Sequence, residues 1–263
     1  MITAELMGRL GNQMFIIAAA HSLALDNDDK AIFSTDLSGI TPSDRETMIH
    51  RKTILSRLDY VSRIPFVQNI HHEPQDHSYS PITYKDNLLL RGYYQSEKYF
   101  SHNRAGIIDL FKPLKKIDDF LNNKYSEIIG NKKCVSVHVR RGDYLKYSDF
   151  HAIMGKEYYD EAMSRFPKGT KFVFFSDDIE WCKETFGLSR RNIYIENQED
   201  VLDLYLMSKI HNNIIANSSF SWWGAWLSEI EDKRVLTPPV WFGPKNTHLT
   251  MKDLIPESWE IVR

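Results

Sequence analysis

The chain has 263 residues, 42% hydrophobic and 26% charged, with a formal net charge of −2. That is the make-up of a soluble globular protein with core enough for one large domain or two small ones. Near-neutral charge argues against nucleic acid as a main partner, because phosphate-backbone binders carry a basic excess. No apolar run approaches the roughly 18 residues that a membrane helix needs, and the N-terminus lacks the basic, apolar and small-residue layout of a signal segment. The expected location is therefore the cytoplasm. Cys134 and Cys182 show neither CxxC spacing nor a disulfide framework, and read as reduced, largely buried thiols.

In chain order, the first signals are a strand at Ile2–Leu6, a glycine loop Gly8-Arg9-Leu10-Gly11-Asn12-Gln13 and an apolar helical run at Met14–Leu25. Two glycines allow a tight turn and close backbone approach at a helix N-terminus, a favourable place for an anion. By itself the loop reads equally well as a plain strand-to-helix turn. Further strand and helix signals follow at Ala31–Ser34, Asp44–Leu58, Leu88–Arg91, Glu97–Phe111 and Ile117–Ile129. The polar, histidine-rich stretch Pro65–Tyr84 reads as an exposed loop. Its His71, His72 and His77 lack metal-ligand spacing and cysteine or carboxylate partners at standard offsets. Lys112, Lys115 and Lys116 could face anionic lipid or simply water. A lobe boundary is expected at Gly130-Asn131-Lys132, dividing the chain into 1–130 and 131–263.

The second half alternates strands and helices, the mark of a parallel sheet wrapped by helices. Strands are expected at Cys134–Val139, Lys171–Phe175, Asn192–Ile195, Asn213–Ala216 and Arg234–Leu236. Helices fall between them near Glu157–Arg165, Ile179–Phe186, Glu199–Ile210 and Ser221–Glu229. In such doubly wound sheets ligands lie beyond the carboxyl ends of the strands. His138–Asp143, Ser176-Asp177-Asp178 and Asn217-Ser218-Ser219-Phe220 all fall at those ends, so three polar clusters should meet on one sheet edge.

Arg140 and Arg141 are adjacent guanidiniums, each a planar fork of five donors, and suit a phosphate or diphosphate. His138 and Arg140 are two apart on a strand end and should point to the same side. Arg141 should point away and brace the loop through Asp143. Asp177 or Asp178 could accept from guanine N1 and its exocyclic amine, the other capping the next helix; a bridging divalent cation is the less favoured use of the pair. Ser218 and Ser219, before a helix, can offer hydroxyls and backbone N–H groups to a phosphate, or serve as an ordinary cap. Trp222, Trp223 and Trp226 read as core.

His-Val-Arg-Arg-Gly-Asp at 138–143, Phe-Ser-Asp-Asp at 175–178, Asn-Ser-Ser-Phe-Ser-Trp-Trp-Gly-Ala-Trp-Leu at 217–227 and Gly-Arg-Leu-Gly-Asn-Gln-Met-Phe at 8–15 together resemble the α-1,2-fucosyltransferases. Arg9 departs from the glycine of the commonest bacterial loop and is similar to the loop of protein O-fucosyltransferases. The resemblance implies an α/β fold of GT-B type, two Rossmann-like lobes facing a central cleft. The donor would be GDP-β-L-fucose on the C-terminal lobe, with a galactose-terminated glycan largely on the N-terminal one. Transfer would invert the sugar by a single displacement, with no metal or other cofactor required.

On that reading Arg140 offsets the charge growing on the departing diphosphate. Arg9, Gly11, Asn12, His138, Arg140, Arg141, Asp177, Asp178, Ser218, Ser219 and Phe220 are the expected donor contacts, with Asn12 and Gln13 orienting acceptor hydroxyls. Asp149 and His151 are the candidates for the general base; a water-relayed proton path is the alternative. Peripheral contact with the inner membrane surface would suit a polysaccharide acceptor. The competing readings are a non-catalytic GDP-sugar or glycan-binding protein of the same fold, and an enzyme using another GDP-sugar or forming another linkage.

Overall fold

The computed structural model describes residues 1–35, 47–64 and 66–263, and the chain divides into two compact units. Unit 1 comprises Met1–Leu114 and Leu249–Pro256; unit 2 comprises Lys115–His248 and Glu257–Arg263. This division lies upstream of the boundary expected at residues 130–132. The reason is helix α3 (Lys115–Lys124), which is fastened to unit 2: Lys209 contacts Asp118 at 2.7 Å and Asn122 at 3.2 Å. The later return to unit 1 is held by Asp253, which accepts from the Tyr79 N–H at 2.9 Å and from Lys98 at 2.6 Å.

Unit 1 contains β1 (Ile2–Ala4), α1 (Leu10–Asp26), β2 (Ile32–Ser34), β3 (Asp59–Val61), β4 (Asn69–His72), β5 (Leu88–Arg91) and α2 (Arg104–Phe111). Every strand pair is parallel, with β1 between β5 and a bridge from Ile2 to Ala31 that leads into the β2–β3 pair. The α1 sequence is apolar nearly all round, and from Met14 to Ala20 every residue is buried, so the helix is stabilised by the core on all sides. It ends where the Asn27 side chain donates to the Leu23 carbonyl at 2.8 Å.

Two expectations for unit 1 change. The stretch read as an exposed loop contains β4, an edge strand in register with β5 from Asn69↔Leu88 to His72↔Arg91. Its polar sequence hid it, because an edge strand needs backbone pairing more than apolar side chains. The helical signal over Glu97–Phe111 breaks into 3₁₀ turns at Glu97–Tyr99 and Ser101–Asn103 before α2, since Phe100 leaves helical geometry (φ −148°) and is fully buried. Of Asp44–Leu58, residues 44–46 lie outside the described residues, and Thr47–Lys52 is a 3₁₀ helix.

Unit 2 continues from α3 with β6 (Cys134–Val139), α4 (Gly142–Lys146), α5 (Lys156–Ser164), β7 (Lys171–Ser176), α6 (Ile179–Phe186), β8 (Asn192–Tyr194), α7 (Asp200–Lys209), β9 (Asn212–Ile214), α8 (Ser219–Trp226), β10 (Val235–Thr237) and β11 (Glu260–Ile261). The parallel sheet has the order β11-β10-β9-β6-β7-β8, six strands where five were expected. The sixth, β11, is only two residues long, and its Glu260 is gripped by Arg165 at 2.5 Å and Arg234 at 2.9 Å. The winding runs outward from β6 through β7 to β8, then returns to β9 on the other side of β6. The topological switch point therefore lies between β6 and β9, where ligands of doubly wound sheets bind.

One face of the unit 2 sheet buries Val135, Val137, Val139, Phe174 and Ile214, and the other buries Cys134, Val173 and Phe175. Trp222, Trp223 and Trp226 are also buried and pack on one another, Trp222 and Trp226 stacked at 6.0 Å, which makes them core residues. Cys134 and Cys182 are free and buried. Among the described residues no helix is long and apolar enough to cross a membrane.

Candidate active site

The three polar clusters of unit 2 meet at the carboxyl edge of the sheet. β6 and β7 are neighbours in register up to Val139↔Ser176, so the residues that follow each strand face one another. Arg140 contacts Asp143 (Nη2–Oδ1 2.7 Å) and Asp177 (Nη1–Oδ2 3.0 Å). Arg141 contacts Asp178 (Nε–Oδ2 3.1 Å), lays its guanidinium over the Trp181 ring at 4.0 Å, and donates its backbone N–H to Asp177 Oδ1 at 2.9 Å. Both guanidiniums are thus well enclosed, each side chain only 16% exposed.

Two sequence expectations are corrected here. Asp143 braces Arg140, not Arg141, because Gly142 begins α4 and carries Asp143 back over the strand end. Asp178 caps α6, accepting the Trp181 N–H at 3.3 Å, and thereby fills the capping role given to one of the two aspartates. Asp177 does not stand open to a base: both its oxygens accept from the arginine loop. Gly142 is required for this closeness, since a Cβ there would fall 2.6 Å from Asp177 Oδ2.

Across the switch point, His138 is 5% exposed and lies 5.7 Å from the Phe220 ring. Burial, reinforced by the Arg140 charge, pushes its imidazole down to about 3, so the ring is neutral at physiological pH. Its Nδ1 is buried without a hydrogen-bond partner, an orphaned polar atom of the kind that demands explanation. Ser218 is the residue before α8 and makes no side-chain cap bond to it. Ser219 and Phe220 are half-buried at the helix start.

Tyr144 ties the clusters together, a residue the sequence reading missed. Its hydroxyl donates to the Asn217 carbonyl at 2.9 Å, Arg140 lies 5.5 Å from its ring, and His151 stacks on it at 4.1 Å with the planes 8° apart. Asn217, quoted only as part of a motif, is buried and donates to the Ala152 and Trp241 carbonyls, both at 2.8 Å. Burial holds the His151 pKa below the ordinary value. Asp149 instead points away into an exposed pair with Lys245 at 2.7 Å. Of the two base candidates, His151 is part of the cluster and Asp149 is not.

In unit 1, the glycine loop turns at Gly8 (φ +70°) into α1, with Arg9 exposed at the N-cap position and Gly11 buried. Asn12 is half-buried, and its Oδ1 accepts from Gln95 Nε2 at 2.9 Å. Gln13 does not present its amide for sugar: it is 3% exposed and donates to the Gly8 carbonyl at 3.0 Å.

Four of the other histidines and lysines singled out in the sequence have structural partners. His71 Nδ1 meets the Tyr94 hydroxyl at 3.0 Å, and His77 packs on Tyr93. Lys112 and Lys115 pair with Asp109 and Asp119. Among the described residues no three His, Cys, Asp or Glu side chains are grouped as metal ligands.

A doubly wound unit with oriented guanidiniums beside its switch point is an arrangement suited to a phosphorylated ligand. The chain belongs to glycosyl transferase family 11, whose family model matches residues 1–253. It is 36% identical over 190 residues to the O-antigen biosynthesis glycosyltransferase WbnK of Escherichia coli, covering 66% of this chain and 61% of that protein. An Escherichia coli alpha-1,2-colitosyltransferase is also 36% identical, over 66% of this chain and 62% of its own. The chain therefore spans about three-fifths of the length of these relatives. The bovine galactoside 2-alpha-L-fucosyltransferase SEC1 is 26% identical over 86% of this chain and 64% of its own. The crystal structure of fucosyltransferase NodZ from Bradyrhizobium matches 85% of this chain and 92% of that one with a TM-score of 0.52 at 13% identity. That likeness bears out the α/β, GT-B-type fold with parallel sheets.

Proposed function

We propose that the chain is an inverting glycosyltransferase that moves L-fucose from GDP-β-L-fucose to the 2-hydroxyl of a terminal galactose on a glycan. Unit 2 takes the donor and unit 1 supplies acceptor contacts. Family membership and the relatives named for α-1,2 transfer support the reading. The observation that carries it is the site itself: two oriented guanidiniums and an orphaned His138 nitrogen at the switch point of a six-stranded parallel sheet.

In the proposed step an acceptor oxygen bonds to the fucosyl anomeric carbon as that carbon's bond to the diphosphate breaks. Negative charge grows on the departing GDP. Arg140 is oriented to meet it, since Asp143 and Asp177 engage two of its five donors and fix the plane of the rest. The first-turn N–H groups of α8, at Ser219 and Phe220, add positive partial charge. His138 Nδ1 is assigned to the nucleoside, with Phe220 against its ring. Asp177 is given the task of holding Arg140 in place of guanine readout. His151, neutral and beside Arg140, is the preferred acceptor of the hydroxyl proton. No metal is needed in this scheme, because the fixed cations already face the leaving group. The setting proposed is cytoplasmic synthesis of a surface polysaccharide, with peripheral contact at the membrane.

A second reading differs only in the donor: the colitosyl relative favours another GDP-sugar carrying colitose. Both readings are tested by GDP release from GDP-fucose or GDP-colitose, with and without lactose or N-acetyllactosamine, in excess EDTA, followed by linkage analysis. Acceptor-dependent, EDTA-resistant release with the sugar on galactose O2 is expected. Tight GDP binding with no turnover on any acceptor would instead indicate a binding protein.

A further inference from the structure

At the carboxyl edge of the unit 1 sheet, Glu73 follows β4 and turns its side chain toward the exit of β5. Its Oε2 accepts the Tyr93 N–H and its Oε1 the Tyr94 N–H, both at 2.7 Å, and the Gln95 N–H joins them. The backbone it holds is strained. Tyr94 sits at φ +50°, costly for an aromatic residue, and Gly92 at φ +149° with a Cβ position only 2.3 Å from Glu73 Cβ. Tyr94 is fully buried, and its hydroxyl donates to the His71 carbonyl at 3.1 Å. The turn delivers Gln95 to Asn12 at 2.9 Å, and Asn12 lies so close over Gly8 that a Cβ there would be 2.5 Å from its amide nitrogen. Contact thus runs unbroken from Glu73 to the start of α1.

We propose that Glu73 is a positioning residue for acceptor transfer: its carboxylate clamps the Gly92–Gln95 turn, so that Gln95 fixes Asn12 on the glycine loop. The inference rests on the proposed transferase reading. Strain stored in a turn persists only where surrounding groups over-determine it, and the carboxylate is the group that does so here. Burial drives its pKa up to about 7 against the pull of the three N–H donors; the other ionisable groups facing it are Asp76, Tyr94 and Tyr99. Releasing the turn to water would return the carboxyl toward its ordinary range, so the closed turn is favoured below neutrality and loosens as pH rises through about 7.

Stability and closure of the turn should then fall together as pH rises. A carboxyl whose folded pKa lies above its unfolded value contributes stability that is full below the unfolded value and lost as pH rises through about 7. Ionisation costs the fold and loosens the turn. A merely structural glutamate would leave the acceptor KM unmoved.

The test compares the unaltered chain with Glu73→Gln and Glu73→Asp between pH 5.5 and 8.5. Hydrogen exchange of the Tyr93–Gln95 amides, corrected for intrinsic rates, should quicken about tenfold or more with rising pH in the unaltered chain and be fast at every pH in Glu73→Gln, whose amide sets an N–H against one of the two donors. GDP release from GDP-fucose with lactose should fall about 10- to 100-fold in Glu73→Gln at pH 6, mainly through the acceptor KM, with kcat little changed. Partial rescue by Glu73→Asp is expected. Unchanged protection in Glu73→Gln, or a loss carried by kcat alone, would overturn the clamp. The exchange arm needs no turnover, so a failure of the transferase reading shows as protection that follows the clamp in a chain without transfer.

Discussion

Gly142→Ala separates the arginine cage from the fold that carries it. The new Cβ would lie 2.6 Å from Asp177 Oδ2, the atom that holds Arg140 Nη1 at 3.0 Å. Reaching ordinary contact near 3.4 Å requires the carboxylate to retreat by about 0.8 Å, which takes that pair beyond hydrogen-bond length. A charge-assisted hydrogen bond contributes about 1.5–3 kcal/mol, and with Asp177 one-quarter exposed about 1–2 kcal/mol is the fitting figure. Against this, alanine inside a helix gains about 0.5–1 kcal/mol over glycine, and Gly142 is the first residue of α4. The net loss is about 1 kcal/mol or less, a shift of a few degrees in Tm. Transfer should suffer far more, because misplacing an aligned group by about 1 Å costs on the order of 100-fold in rate. Urea melts and GDP-release kinetics on the same preparation measure both. Turnover within threefold of the unaltered chain would refute the claim that Asp177 sets the position of Arg140.

Asp143→Asn removes one of three carboxylates facing two guanidiniums, so GDP should bind several-fold tighter at low salt while turnover falls; calorimetry showing weaker binding would count against the site. Gly8→Ala places a side chain at φ +70° and against Asn12, and should cost about 2 kcal/mol in a urea melt. His151→Asn should reduce turnover strongly and Asp149→Asn barely; since burial lowers the His151 pKa, activity should persist to more acid pH than an ordinary histidine base allows, which a kcat–pH profile reads. Asp203 in α7 is raised by burial to about 7, so its stabilising protonated form is complete below about pH 4 and lost as pH rises through 7. Asp203→Asn should therefore be nearly neutral in thermal melts at pH 4 and stabilising by up to about 4 kcal/mol at pH 8.

The second half of the chain was more legible in sequence than the first. Its strands are apolar runs buried on both faces, such as Cys134–Val139, and such runs announce themselves. Unit 1 hides its topology in β3 and β4, short strands with polar residues at a sheet edge, where backbone pairing does what side chains do elsewhere. The three clusters were found because strand ends in a parallel sheet are fixed by the strands. The pairing within them was not: which aspartate meets which arginine depends on α4, a five-residue helix that a glycine-containing motif conceals as a turn. Glu73 carried no sequence signal, since its partners are backbone N–H groups twenty residues away.

Strand order explains the division of labour at the site. Because β7 is the neighbour of β6 on one side, the residues after it are within reach of Arg140 and Arg141, and they are carboxylates. Because β9 is the neighbour on the other side and belongs to the opposite winding, the residues after it border the switch point, and from Ile215 to Phe220 none carries a charge. His138 faces that second side, neutral and with one nitrogen unsatisfied, beside Phe220. Charge is thus set by the β7 side and shape by the β9 side. On the proposed reading, a leaving group that carries both a diphosphate and a flat base would use both sides, which neither a simple phosphate nor an uncharged sugar would.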